Sequence, residues 1–212
     1  VKELQSLGIQ PDILVLRAEH DLNANLRRKI ANFCNVSPDA VVQSLDMPTI
    51  YEVPLSMQEQ GLDATILRKL DLPVGETPGL GPWRSFLERR HKATEVVNIG
   101  LVGKYDLQDA YKSILEALSQ AGTYNDHKVK CHFINSEKIN ETNVAEMLAG
   151  MDGYVICPGF GQRGIEGKII AARYCRENDR PTFGICLGMQ MMVIEYGRNV
   201  LGYADANSVE MD

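Results

Sequence analysis

The segment Pro181–Gln190 places a cysteine where nucleophilic chemistry is possible. An apolar run predicts a buried strand before Cys186, and the residues after it predict a helix, with Gly184 and Gly188 on either side of the turn. Glycines permit such a sharp strand-to-helix turn. The N-terminus of the helix favours the thiolate, which is the nucleophilic form of cysteine. The pattern predicts a nucleophile, against the alternative of a small apolar residue packed beneath a helix.

A glycine-rich loop follows an earlier predicted strand. Residues Gly159–Gly164 satisfy the G-x-G-x-x-G pattern before a helix. We do not expect dinucleotide binding, because the helix begins two or three residues late and Pro158 stiffens its entry. An acidic residue does follow at Glu177 or Asp179, but it lies at the end of a helix rather than of a second strand. Backbone N–H groups that stabilise an oxyanion are the favoured interpretation, with a plain tight turn as the alternative.

The stretch Gly100–Tyr105 resembles a phosphate-binding loop but is incomplete. That motif requires a glycine where Asn98 stands and a serine or threonine where Tyr105 stands. Lys104 remains either an anion contact or a solvated lysine.

No evident general base accompanies the predicted nucleophile. A thiolate usually works with a histidine, yet every histidine precedes Cys186, and His127 and His132 are expected at the surface. Either the base lies in sequence not present here, or the thiol is not catalytic.

Composition excludes several classes of protein. The chain has 212 residues, of which 44% are apolar and 24% charged, with a net charge of -6, so no basic nucleic-acid footprint is present. Five scattered cysteines argue against a disulfide framework, and no cysteine or histidine spacing predicts a metal site. Apolar runs are too short for a membrane span, and the first residues lack a signal-peptide pattern. We expect a cytoplasmic protein that binds neither nucleic acid nor membrane.

Strands and helices alternate on both sides of a proline- and glycine-rich stretch at residues 72–82, which predicts an α/β fold with two parallel-sheet segments. Val41–Leu45 is either a strand or part of a helix. The other predicted strands are Ile13–Leu16, Thr49–Val53, Val96–Val102, Lys128–Ile134, Gly153–Cys157 and Pro181–Ile185. The predicted helices are Asn23–Phe33, Gly61–Leu70, Trp83–Lys92, Asp109–Ala121, Val144–Ala149, Ile165–Glu177 and Gln190–Val200, with a short helix after Ser37.

Several motifs resemble a known family. Gly184–Gln190 is similar to the glutaminase elbow of class I glutamine amidotransferases. Motifs elsewhere narrow the resemblance to CTP synthase, and together they extend over nearly the whole chain. These motifs are Gly8–Asp12, Lys29–Val36, Ile50–Tyr51 with Pro54, Asn98–Tyr105, Asp109–Ser113, Glu166–Lys168 and Ala171–Tyr174.

The resemblance implies a fold and an activity. Residues 1–72 would be the C-terminal part of a synthetase (amidoligase) domain, 73–95 a linker, and 96–212 the N-terminal part of a glutamine amidotransferase domain, both domains being Rossmann-like. CTP synthases are ligases of pyrimidine nucleotide biosynthesis that aminate UTP with ATP and Mg²⁺, using ammonia tunnelled from glutamine hydrolysis. GTP activates them, CTP inhibits them, and they form homotetramers and filaments.

The resemblance also implies roles for individual residues. Cys186 would be the catalytic nucleophile, and the amides of Gly159 and Leu187 the oxyanion hole. The sequence has Cys157-Pro158-Gly159 where many relatives have Pro-Gly-Gly, so only the second glycine is retained. The remaining assignments are Gln190 and Glu210 for glutamine, Lys29 and Phe33 for UTP or CTP, Arg17 and Asp46 for ATP, and Phe160 and Arg163 for the GTP effector.

The family's phosphate loop and Mg²⁺ ligands would lie upstream of this chain, and its triad histidine and glutamate downstream. We therefore expect no metal site in these residues, and neither CTP formation nor glutamine turnover by them alone. Two alternatives remain: a non-catalytic regulatory or assembly relative, and another cysteine-elbow hydrolase. The motifs between Gly8 and Pro54 argue against the hydrolase, because such enzymes have no synthetase domain.

Overall fold

The computed structural model describes residues 1–76, 79–105 and 108–211. The chain divides into two compact units, Val1–Leu87 and Glu88–Asp212. No helix in the described ranges is both long and apolar enough to cross a membrane.

The first unit contains a two-stranded parallel sheet. Its elements are α1 (Lys2–Ser6), β1 (Leu14–Ala18), α2 (Ala24–Cys34), β2 (Val41–Leu45), α3 (Val53–Glu59) and α4 (Leu62–Lys69), and α5 (Gly81–Lys92) begins in it. Strand β1 pairs with β2 from Leu14 opposite Val41 to Ala18 opposite Leu45, so the strand alternative for β2 is correct. The buried side chains of Leu14, Ala31, Cys34 and Val41 form its core between the sheet and α2.

The prediction of a strand at Thr49–Val53 is wrong. A single 3-10 turn occupies Ile50–Glu52, and α3 follows with Pro54 in its first turn. The N–H groups of the first helical turn have no acceptor within the helix, so proline, which has no N–H, is tolerated there, and its fixed φ suits that position. The β-branched and aromatic residues of this segment resemble a strand because the segment contributes to the core. Tyr51 is buried, and its ring packs against Trp83 and Phe86.

The second unit contains a four-stranded parallel sheet in the order β4-β3-β5-β6. Its elements are β3 (Val96–Gly103), α6 (Lys112–Tyr124), β4 (Lys128–Asn135), α7 (Val144–Met147), β5 (Gly153–Ile156), α8 (Ile165–Glu177), β6 (Thr182–Gly184) and α9 (Leu187–Asn199). All four residues of β5 are buried, as expected for a parallel strand covered on both faces. The predicted fold class is confirmed, and α8 has the predicted bounds.

Helix α6 differs from its prediction at both ends. It begins after a 3-10 turn at Gln108–Tyr111 and continues through Gly122 to Tyr124. Gly122 does not end the helix but lets it lie close to β4, because a Cβ there would stand 2.9 Å from the His127 carbonyl oxygen and 2.7 Å from Val129 Cγ2.

Helices α8 and α9 are joined by a charge pair. The Arg176 guanidinium donates to both carboxylate oxygens of Glu195, with N–O distances of 2.7 to 3.1 Å. The Glu195 side chain is only 3% exposed. Fork-shaped pairing of this kind orients both helices and satisfies a carboxylate that would otherwise be buried without a partner.

The start of α9 lies directly against β5. A Cβ on Gly188 would clash with the carbonyl group of Ile156, 2.5 Å from its carbon. The oxygen of the same carbonyl accepts a hydrogen bond of 3.0 Å from Ile185 N–H, so helix and turn are both fixed to the end of β5.

We predict that Gly188→Ala lowers the free energy of unfolding by about 3 kcal/mol, because the methyl group overlaps backbone that cannot move alone. Gly197→Ala in the same helix is the matched control, since its Cβ would meet only Ala206 Cβ at 3.2 Å. Alanine is the better helix former, so the control should be close to neutral or slightly stabilising. Urea unfolding measures both, and equal stability of the two variants would contradict the prediction.

Candidate functional site

Cys186 lies in the sharp turn between β6 and α9. Its backbone has φ 52° and ψ -113°, a conformation that non-glycine residues rarely adopt and that is common at functional sites. Gly184 makes the turn possible, because a Cβ there would lie 2.7 Å from Met189 N. The turn and its two glycine contacts agree with the predicted elbow, and the chemical role of Cys186 stays a prediction.

The five cysteines differ in exposure. Cys186 is exposed, Cys131 is half-buried, and Cys34, Cys157 and Cys175 are buried. Burial raises the pKa of Cys131 and Cys175, and it raises the pKa of Cys157 to about 12. A raised pKa keeps a thiol protonated and unreactive at neutral pH, so the structure favours Cys186 as the site of attack.

Two backbone N–H groups near this cysteine are available to a ligand. Leu187 follows Cys186 directly, and a Cβ on Gly159 would lie 3.6 Å from Leu187 Cδ2, so the predicted oxyanion residues are neighbours. Within the described part of the chain, neither N–H has a hydrogen-bond acceptor. Such unused donors are what an oxyanion hole requires.

Two buried lysines hold the loop Cys157–Gly161. Lys168 of α8 is 0% exposed and donates to the carbonyl oxygens of Cys157 at 2.6 Å and Pro158 at 3.5 Å. Lys104, directly after β3, is also buried and donates to the carbonyl oxygens of Phe160 and Gly161, the latter at 3.2 Å. Lys104 is therefore not the solvated lysine considered above.

The pKa of Lys168 is lowered from 10.5 to about 8. Desolvation by burial is the largest cause, and the charge of Lys104 adds to it, while Cys157 and Cys186 act in the opposite direction. At neutral pH the side chain is still charged, at a cost to folding of about 3 kcal/mol.

The predicted glutamine contacts are in direct contact with each other. Gln190 Nε2 donates to Glu210 Oε2 at 3.0 Å, and Ser208 Oγ donates to Gln190 Oε1 at 2.9 Å. Glu210 N–H in turn donates to Ser208 Oγ at 3.3 Å. Because Gln190 lies in the first turn of α9, this polar group is only a few residues from Cys186 along the chain.

Phe160 and Arg163, predicted as effector contacts, lie on the same loop region. The Phe160 side chain is exposed, and Arg163 pairs with Glu137 at 2.5 Å at the surface. An exposed aromatic ring is a candidate contact for a base or another ring-bearing ligand.

In the first unit the predicted residues form two pairs. Arg17 and Asp46 meet at 3.5 Å where β1 and β2 end, and both are largely exposed. Lys29 and Phe33 lie one turn apart on α2, and the exposed Phe33 ring has the Lys2 ammonium 4.9 Å from its centre. Among the described residues, no group of three or more histidine, cysteine, aspartate or glutamate side chains is arranged to hold a metal ion.

Sequence reasoning missed Lys168 and Ser208. Lys168 carries a detectable signal, because it occupies an inward position of α8 together with Ala171 and Cys175, at spacings of three and four residues. A lysine on such a face needs a buried partner. Ser208 has no comparable signal, since its partner depends on how the loop after α9 returns to Gln190.

Comparisons with known proteins identify families that resemble both parts of the chain. Residues 106–211 match the family described as glutamine amidotransferase class-I, and residues 1–72 match the family described as CTP synthase N-terminus. The solved glutaminase domain of Trypanosoma brucei CTPS with bound acivicin is 39% identical, with a TM-score of 0.51 over 55% of this chain and 46% of that one. The chain belongs to the class-I glutamine amidotransferase family.

Two curated relatives with high identity are named CTP synthase. The chain is 72% identical to the CTP synthase of Bacteroides thetaiotaomicron and 62% identical to that of Porphyromonas gingivalis, with all of this chain covered in both cases. It spans 40% of the length of these curated relatives.

We predict that Lys168 makes stability depend on pH. Its pKa is about 8 in the folded protein and 10.5 when unfolded, so between these values the unfolded chain binds more protons and stability rises with pH. The difference in unfolding free energy between wild type and Lys168→Met should therefore shift by about 3 kcal/mol in favour of the wild type from pH 7 to pH 10.5. A pH-independent difference in urea unfolding would contradict this.

Proposed function

We propose that this chain belongs to a CTP synthase and contributes the nucleophile of its glutaminase reaction. One arrangement carries the proposal: the exposed Cys186 thiol, the unused N–H groups of Gly159 and Leu187, and the Gln190–Glu210 pair occur together in the second unit. The resemblance of the whole chain to CTP synthases supports it.

The arrangement suits acyl transfer from an amide. The Cys186 thiolate attacks the side-chain carbonyl carbon of glutamine, and the resulting oxyanion is stabilised by the N–H groups of Gly159 and Leu187. When the tetrahedral intermediate collapses, the carbon–nitrogen bond breaks and ammonia leaves with a proton from a general acid. Water then hydrolyses the thioester to glutamate and frees the thiol. Gln190 and Glu210 hold the substrate by its polar groups.

In the first unit we propose nucleotide contacts. Arg17 and Asp46 would bind ATP, because they lie at the carboxyl ends of parallel strands, where ligands of α/β sheets bind. Lys29 and Phe33 would contact UTP or the product CTP by charge and by ring stacking. Mg²⁺ would accompany ATP, and we assign it no ligand in this chain.

The remaining proposals concern regulation and assembly. GTP would activate glutamine hydrolysis through Phe160 and Arg163, since an exposed ring and a guanidinium suit a purine and a phosphate. The protein would be a cytoplasmic homotetramer able to form filaments, with residues 1–72 in the synthetase domain, 73–95 as linker and 96–212 in the glutaminase domain.

We predict that Cys186→Ser abolishes glutamine-dependent CTP formation in the polypeptide that carries this chain, while CTP formation from ammonium chloride persists. Serine keeps the shape of the turn but is a much poorer nucleophile without a strong base. CTP is measured by chromatography with UTP, ATP and Mg²⁺ present. An electrophilic glutamine analogue should modify Cys186 and spare Cys157, located by mass spectrometry. Unchanged glutamine-dependent synthesis by Cys186→Ser would contradict the proposed function.

We predict that Ser208→Ala raises the KM for glutamine about three- to tenfold with little change in kcat. The hydroxyl donates to the Gln190 amide oxygen, and we expect it to orient that amide rather than to act on the reacting bond, so its loss should weaken binding in ground and transition state alike. Ser119→Ala in α6 is a matched control, because that serine bonds Arg90 instead. A fall in kcat at constant KM would show that Ser208 has a different role.

A further inference from the structure

The loop Cys157–Gly161 is attached to the rest of the second unit by two ammonium groups from different elements. Lys168 of α8 binds the carbonyl oxygens on one side of Gly159, and Lys104 after β3 binds those on the other side. Both lysines are buried, at 0% and 3% exposure. Within the described ranges, neither forms an ion pair with a carboxylate.

These contacts determine which way the loop's N–H groups face. Every peptide bond described is trans, so the N–H of each peptide unit points away from its own C=O. The Pro158 carbonyl faces Lys168, and the Gly159 N–H of the same unit therefore faces away from it. The Phe160 carbonyl faces Lys104, which turns the Gly161 N–H away in the same manner. Without the hydrogen bonds from the lysines, both of these peptide units could rotate.

The same lysines bring positive charge to the loop beside the Cys186 turn. A Cβ on Gly159 would lie 3.1 Å from Lys104 Cε and 3.6 Å from Cδ2 of Leu187, the residue that follows Cys186. A nearby cation stabilises an oxyanion formed beside it. Burying two ammonium groups without carboxylates is unfavourable for folding, so their presence is unexplained by stability alone.

We propose that Lys104 and Lys168 are positioning residues for acyl transfer at Cys186: they orient the loop that presents the Gly159 N–H, and their charge stabilises the oxyanion that forms beside that loop. This inference rests on the proposed glutaminase function. In a purely structural role the two side chains would only fill space and satisfy carbonyl groups.

The test compares Lys104→Met, Lys168→Met and the double variant in the polypeptide that carries this chain. Methionine keeps the length of the side chain and removes both the charge and the donors. Lys130→Met, on the exposed side of β4, is the matched control. We expect each of the first two variants to lower the kcat of glutamine hydrolysis about tenfold or more, with KM changed less than about threefold, because the N–H donors act in the transition state. The double variant should lose less than the product of the two, since both lysines act through one loop.

A second measurement does not need turnover. The rate at which an electrophilic glutamine analogue modifies Cys186 is followed by mass spectrometry, and it should fall about tenfold in Lys168→Met but not in Lys130→Met, because the oxyanion formed on attack loses its oriented donor. Wild-type kcat in both loop variants, or an unchanged modification rate in Lys168→Met, would overturn the inference. A wild-type protein that hydrolyses no glutamine would instead contradict the proposed function, and the modification rate would still test the lysines.

Discussion

The close approach of α9 to β5 is the constraint on which the candidate site depends. Gly188 lies against the Ile156 carbonyl group, whose oxygen also accepts the Ile185 N–H. These two contacts fix the turn that carries Cys186 to the end of β5, from which the loop with Gly159 begins. A larger residue at 188 would force the start of α9, and with it the turn that carries Cys186, away from β5, so the geometry of the candidate site depends on the absence of one methyl group.

Charge in this unit is used in two different ways. Glu195 is buried, but Arg176 satisfies it with a fork of hydrogen bonds, which joins α8 to α9. Lys168, only two helical turns away on α8, has carbonyl oxygens as partners and keeps a lowered pKa. The Arg176 hydrogen bonds compensate the desolvation of Glu195, whereas the carbonyl oxygens compensate the desolvation of Lys168 only in part. An incompletely compensated charge of this kind is characteristic of functional sites, where some stability is lost in favour of a defined electrostatic environment.

The parts of the molecule that could be predicted from sequence are those governed by local rules. Glycine spacing around Cys186 predicts the turn, and strict alternation of strand and helix predicts the parallel sheet. The same rules fail at Thr49–Val53, because the burial of Tyr51 by Trp83 and Phe86 is a tertiary effect that makes a 3-10 turn resemble a strand. The partners of Lys168 and Ser208 could not be predicted, since each depends on where a loop from another element returns.

The polar group at Gln190 satisfies its own hydrogen bonds. The Gln190 amide donates to Glu210, and Ser208 donates to the oxygen of that amide. If glutamine binds here as proposed, its α-ammonium group competes for Glu210 with a charge-assisted hydrogen bond, which is stronger than the neutral amide bond it replaces. The exchange releases Gln190 Nε2 to donate to the substrate. Binding then replaces one satisfied arrangement by another, and no polar group of the site has to lose its partner.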